Sequence, residues 1–170
     1  MNDILYIDNF IEDPQKLFEA LNHNIVWDAR MTARKTASFG KAYNYSQMSY
    51  PEVTFLDELK PLIVQIEKIL GFEPNNCLIN FYENGQARMG WHSDQIDILY
   101  SETGVAIVSL GSERILKFRK IGNPEITKEY LLASGSLLYM TQSVQKEWQH
   151  AIPKHETDQA RISLTFRKIL

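Results

Sequence analysis

The sequence is poor in cysteine and has no long apolar run, and both absences narrow the class of protein. Cys77 is the only cysteine among 170 residues, so no disulfide can form within the chain and a reducing compartment is expected. In the stretch NCLINF this thiol is expected to pack as a small apolar side chain. The apolar runs are too short to cross a bilayer, and the start MNDILYIDNF lacks the basic residues and cleavage site of a signal peptide. We therefore expect a cytoplasmic protein with no membrane partner.

Positive charge is not in excess either. Eighteen lysines and arginines stand against 21 acidic residues, and the net charge of −3 argues against an indiscriminate nucleic-acid coat while leaving room for a local basic groove. The sequence also lacks internal repeats, low-complexity tracts and linkers. With an ordinary apolar fraction of 44%, it predicts a single domain over residues 1–170, which we expect to be a monomer.

Helical patterns are confined to the N-terminal part of the chain. DPQKLFEALNHNI predicts a helix with Asp13 at the N-cap and Pro14 at the first helical position. PEVTFLDELKPLIVQIEKILG, residues 51–71, predicts a second helix that ends at Gly71 and that Pro61 kinks or splits.

Short alternating strands dominate the sequence after Gly71. They are CLINFY, VAIVSLG, RILKF, EYLLA, SLLYM, WQHAI and RISLTFRKI, and DILYIDNFI adds one strand near the N-terminus. Many short strands separated by turn residues predict a sandwich or a barrel, and a jelly roll is one such solution. The predicted fold class is α+β and mainly β, with N-terminal helices that support a β-core.

Two histidines and one aspartate are the strongest candidates for chemistry. GWHSDQID places His92 and Asp94 two residues apart, and a strand would turn both side chains to the same face. H-x-D occurs by chance, and a lone histidine such as His150 in EWQHAIPK is more often a hydrogen-bonded core or turn residue. Together, two imidazoles and one carboxylate form the facial triad of non-heme iron(II) oxygenases, which leaves coordination positions open. A zinc hydrolase with the same ligands is the alternative.

The stretch RISLTFR carries two arginines on one face of a predicted strand. That face presents Arg161, Ser163, Thr165 and Arg167, and the other face is apolar. If the polar face lines a barrel interior, the arginines need anionic partners, and a dicarboxylate would serve because arginine binds carboxylates bidentately. The stretch LINFY offers a matching polar face with Asn80 and Tyr82. Alternation equally allows an exposed sheet face with solvated arginines.

Taken in order, several motifs resemble the AlkB family of iron(II)- and 2-oxoglutarate-dependent dioxygenases. They are NFYENG, WHSD, VSLGSER, SGSLLYM, EWQHAIPK and RISLTFR, and ARKTASFGKAYNYS resembles the nucleotide-lid region of that family. The resemblance covers nearly the whole chain. It implies a double-stranded β-helix, which is a jelly-roll core, together with Fe(II), 2-oxoglutarate as co-substrate and O2.

The resemblance also implies roles for individual residues. The iron ligands, which are the catalytic residues, would be His92, Asp94 and His150. Arg161 would pair with the distal carboxylate of 2-oxoglutarate, helped by Tyr82, and Arg167 and Asn80 would lie near the carboxylate that chelates the metal. Ser163 stands where family members usually have asparagine, and its shorter hydroxyl keeps a hydrogen-bonding group with less reach. The implied reaction is oxidative demethylation of N-alkylated bases in DNA or RNA, with release of formaldehyde, succinate and CO2.

Acidic residues are missing between Asp28 and Glu52, and this segment carries the prediction about substrate. It interleaves basic with aromatic residues, namely Arg30, Arg34, Lys35, Phe39, Lys41, Tyr43, Tyr45 and Tyr50. Such a combination suits a nucleic-acid strand with an unstacked base. By the resemblance, residues 30–50 form a mobile substrate-covering lid in which Arg34 helps to grip the strand and Tyr45 stacks on the flipped base. The other interpretation is a solvated basic loop with core aromatics.

The residues that follow H-x-D leave the substrate open. DNA-repair members of the family often have an acidic pair there, and this chain has Gln95 and Ile96. Gln95 can contact a base by hydrogen bonds, but neither residue brings a charge that complements a cationic methylated base. Asp97 reaches that position only if the loop is shifted. Two alternatives therefore stand beside nucleic-acid demethylation: an oxygenase acting on a protein, lipid or small metabolite, and a catalytically silent binding domain.

Overall fold

Antiparallel strands are the main secondary structure of the molecule. The computed structural model describes residues 3–45 and 48–170, and the side chain of Tyr45 lies outside this description. The strands are β1 (Ile4–Ile7), β2 (Lys35–Gly40), β3 (Tyr43–Tyr45), β4 (Met48–Tyr50), β5 (Asn76–Tyr82), β6 (Met89–His92), β7 (Val105–Gly111), β8 (Arg114–Lys120), β9 (Asn123–Leu132), β10 (Leu137–Met140), β11 (Trp148–Ile152) and β12 (Arg161–Arg167). The α-helices are α1 (Pro14–Asn24), α2 (Lys60–Leu70) and α3 (Gln142–Glu147).

The strands are arranged in two main sheets. The larger sheet has the order β1-β10-β7-β12-β5-β2, and the smaller has the order β6-β11-β8-β9. β3 and β4 pair only with each other, as a separate hairpin. All the strand pairs are antiparallel, and strands that are distant in sequence lie side by side, as in the predicted jelly roll.

The larger sheet is buried on both faces, which gives the molecule three layers. One apolar cluster joins its outer face to α1 and α2, and its members include Leu21, Ile63, Ile66, Ile79, Leu110, Leu164 and Phe166. A second cluster lies between the two sheets, and its members include Leu78, Tyr82, Ile107, Leu116, Phe118, Leu132 and Ile152. The helices therefore support the barrel from outside, as the sequence predicted.

Strand β12 resolves the alternatives that its sequence left open. Its apolar residues Ile162, Leu164 and Phe166 pack in the cluster below the helices. Arg161 and Arg167 point the other way and are only 1% and 4% exposed. The arginine face therefore lines the interior of the barrel and does not meet solvent.

The first helix and the later strands agree with the sequence predictions, whereas the second helix is shorter than predicted. Oδ1 of Asp13 accepts the backbone N–H of Lys16 at 3.1 Å, as an N-cap should. The prediction of one helix over 51–71 is wrong, because α2 begins only at Lys60, after a 3-10 turn over Asp57–Leu59. Pro61 lies in the first turn of α2, where it neither kinks nor splits the helix because it takes no hydrogen bond away there.

The sequence also hid several elements. Strands β2, β3, β4 and β6 and helix α3 were not predicted, and β9 begins at Asn123, before the predicted EYLLA. β9 contains Pro124 and is an edge strand, where proline is tolerated. Cys77 is buried in β5, as predicted, and burial raises the pKa of its thiol. Among the described residues, no helix has the length and apolar character needed to span a membrane.

Candidate metal and co-substrate site

His92, Asp94 and His150 come together at one end of the space between the two sheets. Their potential ligand atoms all lie within 4.8 Å of one another. Nε2 of His92 is 3.2 Å and Nε2 of His150 is 3.6 Å from the same carboxylate oxygen, Oδ1 of Asp94. Two imidazole nitrogens and a carboxylate oxygen converging in this way can hold one metal ion from one side.

Neighbouring strands and one loop position these three side chains. His150 on β11 lies directly opposite His92 on β6 in the antiparallel register. β6 ends at His92, so Asp94 is brought to the site by the following loop and not by strand alternation. The side chain of Gln145, buried in α3, accepts the backbone N–H of Asp94 at 2.8 Å, and the Ser93 hydroxyl donates to the Trp148 carbonyl at 2.8 Å.

The electrostatics of the group suit a cation. Burial alone would raise the pKa of Asp94, but the charge of Arg167 and the two histidines outweigh it and hold that pKa below its usual range. Burial lowers the pKa of His150 to about 4, in spite of the nearby Asp94 carboxylate. At neutral pH the site therefore presents an ionised carboxylate and a neutral His150 imidazole, which are the forms that bind a metal.

The ring of His92 is oriented by the backbone. Its Nδ1 is 2.8 Å from the carbonyl oxygen of Gly90, and since a carbonyl only accepts, Nδ1 carries the proton. This tautomer leaves the lone pair of Nε2 directed to Asp94 and the shared centre. Nδ1 of His150 is buried and has no hydrogen-bond partner within the described part of the chain.

One cavity connects the three candidate ligands with the arginine strand. Its walls come from both sheets and include Asn80, Tyr82, Arg161, Ser163, Thr165 and Arg167. One guanidinium nitrogen of Arg161, Nη2, donates to the Ser109 hydroxyl at 3.0 Å. Its Nε and Nη1 are buried and meet no acceptor among the described residues. Burial lowers the pKa of Arg161, so this cation gains from a bound carboxylate.

The other arginine of β12 lies at the metal end of the cavity. Nη2 of Arg167 is 3.4 Å from Oδ2 of Asp94, and its guanidinium lies 5.0 Å from the ring centroid of Tyr43. On β5, the Asn80 side chain is buried, and its Oδ1 accepts Nε–H of Arg34 at 2.8 Å. Arg167 therefore lies by the candidate metal ligands, whereas Asn80 lies opposite Ser163 and Tyr82 lies opposite Arg161 in the sheet register.

Comparison with known proteins gives this geometry a family. The family model of the 2OG-Fe(II) oxygenase superfamily matches residues 12–167. The chain belongs to that superfamily. Alpha-ketoglutarate-dependent dioxygenase alkB homolog 3 of Rattus norvegicus is 31% identical over 179 residues, which cover 94% of this chain and 61% of the rat protein.

Further comparisons place the chain within the AlkB family. DNA oxidative demethylase ALKBH2 of Bos taurus is 32% identical over 148 residues, covering 81% of this chain and 53% of the relative. The solved structure of OsALKBH1 superposes with a TM-score of 0.65 at 15% identity, covers 98% of both chains, and so shows the shared fold. The chain spans about 61% of the length of the rat relative.

The described residues fit the groups that this family uses, which are Fe(II), 2-oxoglutarate and O2. The two histidines and Asp94 offer the nitrogen and oxygen donors that suit Fe(II) and leave one side of the centre open to the cavity. At the other end of the same cavity, the unsatisfied nitrogens of Arg161 suit the distal carboxylate of 2-oxoglutarate. Ser163 lies between these ends, opposite both Asn80 and Ser109 in the sheet register, and lines the cavity.

The region predicted as the substrate lid is more firmly built than the sequence indicated. Residues 35–40 form β2, which pairs along its length with β5, so this part of the predicted lid belongs to the larger sheet. That the segment covers the substrate stays a prediction. Three of its aromatic residues, Phe39, Tyr43 and Tyr50, are buried. Asp28, just before the acid-free run, pairs with Arg30. Only the loops that flank β2 and the hairpin of β3 and β4 remain as candidate covering elements.

The three predicted substrate residues lie in different environments. Arg34 is buried, lines the cavity and also donates from Nη1 to the Arg88 carbonyl at 3.3 Å. Gln95 is exposed in the loop after the metal ligands, next to a half-buried Ile96. The side chain of Tyr45 lies outside the described residues, so its stacking role stays a prediction.

The structure adds functional residues that sequence reasoning missed. Gln145, which holds the backbone of Asp94, gave no signal, because α3 was not predicted and its partner is 51 positions away. Arg114 did leave a signal: in RILKF it shares the face of Leu116 and Phe118, so it places a charge on an apolar strand face. Tyr43 was noted only as part of the aromatic run, and it lies under Arg167.

Proposed function

We propose that this chain is an Fe(II)- and 2-oxoglutarate-dependent dioxygenase that oxidatively demethylates N-alkylated bases in DNA or RNA. The observation that carries the proposal is one cavity with a facial set of metal donors at one end and, at the other, Arg161, whose Nε and Nη1 meet no acceptor among the described residues. The similar proteins named DNA oxidative demethylase and alkB homolog 3 support the choice of substrate.

The side chains have separate tasks in this reaction. When bound, the Fe(II) centre supplies the oxidising chemistry, with 2-oxoglutarate and O2 as co-substrates. His92, Asp94 and His150 hold the metal on one side and leave the cavity side open. Arg161 orients the dicarboxylate by charge and fork geometry, and the apolar wall of Leu78, Ile107, Leu116 and Ile152 limits water in the cavity.

Nucleic acid is the proposed partner, and the surface beside the cavity supports it. A groove borders Arg34 and Lys35 and extends to Phe81, Asn84 and Gln86, with Glu83 as the acidic side chain of its lining. Basic, aromatic and amide side chains in one groove suit a phosphate backbone and adjacent bases. That the protein is monomeric and cytoplasmic stays a prediction.

The test is formaldehyde release from a panel of methylated single- and double-stranded oligonucleotides, measured beside succinate release without oligonucleotide. We expect both products from the wild type and neither from Asp94→Ala. The variant Asp158→Ala, which removes an exposed carboxylate from the loop before β12, is the matched control and should retain both. Succinate release without formaldehyde from any oligonucleotide would contradict the nucleic-acid substrate and keep the dioxygenase.

A second substrate class is favoured by the residues after the metal motif. Asp94 is the only acidic residue among the described residues that line the cavity, and Gln95 and Ile96 are uncharged. A cationic methylated base would therefore find no free carboxylate in the cavity. This observation favours a neutral methylated group on a protein, lipid or small metabolite, and the same assay with such compounds distinguishes the two classes.

A further inference from the structure

Arg114 is a buried arginine that the proposed reaction does not use. It opens β8, is 2% exposed, and takes part in none of the ion pairs found among the described residues. Its Nε is buried without a hydrogen-bond partner in that part of the chain. Burying a cation without a counter-ion lowers the stability of the fold. A purely structural role therefore does not explain an arginine at this position.

The guanidinium of Arg114 joins the two chain segments that carry the metal-ligand histidines. Nη2 donates to the carbonyl of Ala87 at 2.9 Å and to the carbonyl of Pro153 at 2.6 Å. Ala87 lies just before β6, which ends at His92, and Pro153 directly follows β11, which carries His150. Arg114 therefore links the segment just before β6 to the residue just after β11.

The same guanidinium also contacts the co-substrate end of the cavity. Its central carbon lies 5.6 Å from the ring centroid of Tyr82, and that of Arg161 lies 5.0 Å from the same centroid. Tyr82 is opposite Arg161 in the register of β5 and β12 and is almost fully buried. Both cations thus contact the same ring, so Arg114 and Arg161 share Tyr82 as a neighbour.

The link between the two ends has a mechanical consequence. One set of contacts ties Arg114 to the strands of His92 and His150, and the other ties it through Tyr82 to Arg161. We propose that Arg114 is a positioning residue that sets the distance from the metal centre to the Arg161 guanidinium, and thereby the chain length of the 2-oxo dicarboxylic acid that the site accepts. This inference rests on the proposed function, because it assumes that Arg161 receives the distal carboxylate.

Chain length is a sensitive measure of that distance. Adding or removing one methylene from a well-fitted ligand changes its binding by roughly 10- to 200-fold. A site whose two anchors are held at one separation should therefore prefer 2-oxoglutarate over oxaloacetate, which is one carbon shorter, and over 2-oxoadipate, which is one carbon longer. Loosening one anchor should weaken the best ligand most, because the other two already fit badly.

The test is anaerobic calorimetric titration of the Mn(II)-loaded protein with these three acids, which measures binding without turnover. We compare the wild type with Arg114→Met and Arg114→Lys, and use Lys117→Met as the control. Lys117 lies on the same strand, but its ammonium pairs with Glu129 of β9 at 3.3 Å and is not part of the cavity wall.

In Arg114→Met we expect the Kd of 2-oxoglutarate to rise about tenfold or more and the preference over 2-oxoadipate to fall at least about fivefold. Arg114→Lys keeps the charge but loses the fork and the ring contact, so it should lose preference too, and it serves if the methionine variant does not fold. Lys117→Met should keep both the affinity and the preference.

Other outcomes separate the explanations. Equal weakening of all three acids, or a wild-type preference in Arg114→Lys, would mean that Arg114 acts only through stability or net charge, and the inference would be wrong. If the wild type binds none of the acids, the proposed function itself fails.

Discussion

The interior of the barrel and the rim around it are built from different kinds of position. His150, Arg161 and Arg167 are buried side chains on strands whose neighbours on both sides hold their register. Gln95 and Lys41 are exposed residues in loops. Strand positions are fixed by every hydrogen bond of the ladder, whereas loop positions depend on a few local contacts. The fold therefore fixes the positions of the proposed metal and co-substrate residues more firmly than those of the proposed substrate residues.

Arg34 lies on the border between these regions. It was predicted as a substrate residue of a mobile lid, yet its Nε–H reaches the buried amide oxygen of Asn80 at 2.8 Å. Its neighbour Lys35 is half-buried and turns its ammonium to the Phe81 ring, 5.8 Å from the centroid, beside the outer groove. Two adjacent residues thus belong to different regions, and substitutions can show whether the division is real.

The largest effect is expected from His150→Ala. Removing this imidazole takes away one of three protein donors and leaves a gap in the buried wall, so Fe(II) binding should be lost or fall by more than 100-fold. Metal titration of the purified protein measures it. His155→Ala is the matched control, because His155 is exposed in the loop before β12. This variant should bind iron as the wild type does. Loss of iron in the control alone would overturn the ligand assignment.

The next largest effect is expected from Arg161→Lys. Lysine keeps the charge but cannot form the bidentate contact or the same ring contact with Tyr82, so the apparent KM for 2-oxoglutarate should rise about tenfold or more. Steady-state succinate release at varied 2-oxoglutarate measures this change. If only the KM of the nucleic-acid substrate changed, Arg161 would bind substrate. The assignment of the barrel interior to metal and co-substrate would then be wrong.

The same division explains what the sequence could predict. Alternation in RISLTFR assigned Arg161 and Arg167 to one face, and only the packing of Ile162 and Phe166 under the helices shows that this face is internal. The candidate metal ligands His92, Asp94 and His150 were chosen from residue type and order, and the structure brings them together. Local pattern sufficed wherever one strand and its own periodicity fixed the side chain.

Contacts between distant segments could not be predicted in this way. Gln145 meets the backbone of Asp94 across 51 positions, and Arg34 meets Asn80 across 46. Strand β2 was missed because its stretch KTASFG is short and lacks large alternating apolar residues, and pairing with β5 forms it. Pro61 had indicated a kink because its position relative to the helix start was not known. In each case tertiary contacts outweighed local preference.

A smaller effect is expected from Tyr45→Ala, which tests the rim. If the ring stacks on the target base, its loss should remove about 1 kcal/mol, the lower end for base stacking, and reduce demethylation about fivefold. Succinate formation without oligonucleotide should not change, because the metal and 2-oxoglutarate contacts lie in the interior. Tyr100→Ala, at an exposed tyrosine in the loop before β7, is the control. A parallel fall in both activities would place Tyr45 with the interior residues instead.

The smallest effect is expected from Lys35→Ala, and it divides the two regions between adjacent residues. If Lys35 contacts one phosphate from the outer groove, its removal should lower the salt dependence of oligonucleotide binding by about 0.9 in the slope of log K against log salt. Lys16→Ala, at an exposed lysine on α1, should leave the slope unchanged.

Arg34→Ala should behave differently, because its Nε–H supports Asn80 inside the cavity: the KM for 2-oxoglutarate should rise while the salt slope stays near the wild-type value. Fluorescence anisotropy at several salt concentrations, beside succinate kinetics, gives both quantities for each variant. Equal slopes for Lys35→Ala and Lys16→Ala would mean that the groove beside Lys35 does not bind the oligonucleotide. If Arg34→Ala changed the salt slope and left the KM for 2-oxoglutarate unchanged, Arg34 would belong to the substrate residues. A buried arginine would then contact the nucleic-acid strand that enters the cavity.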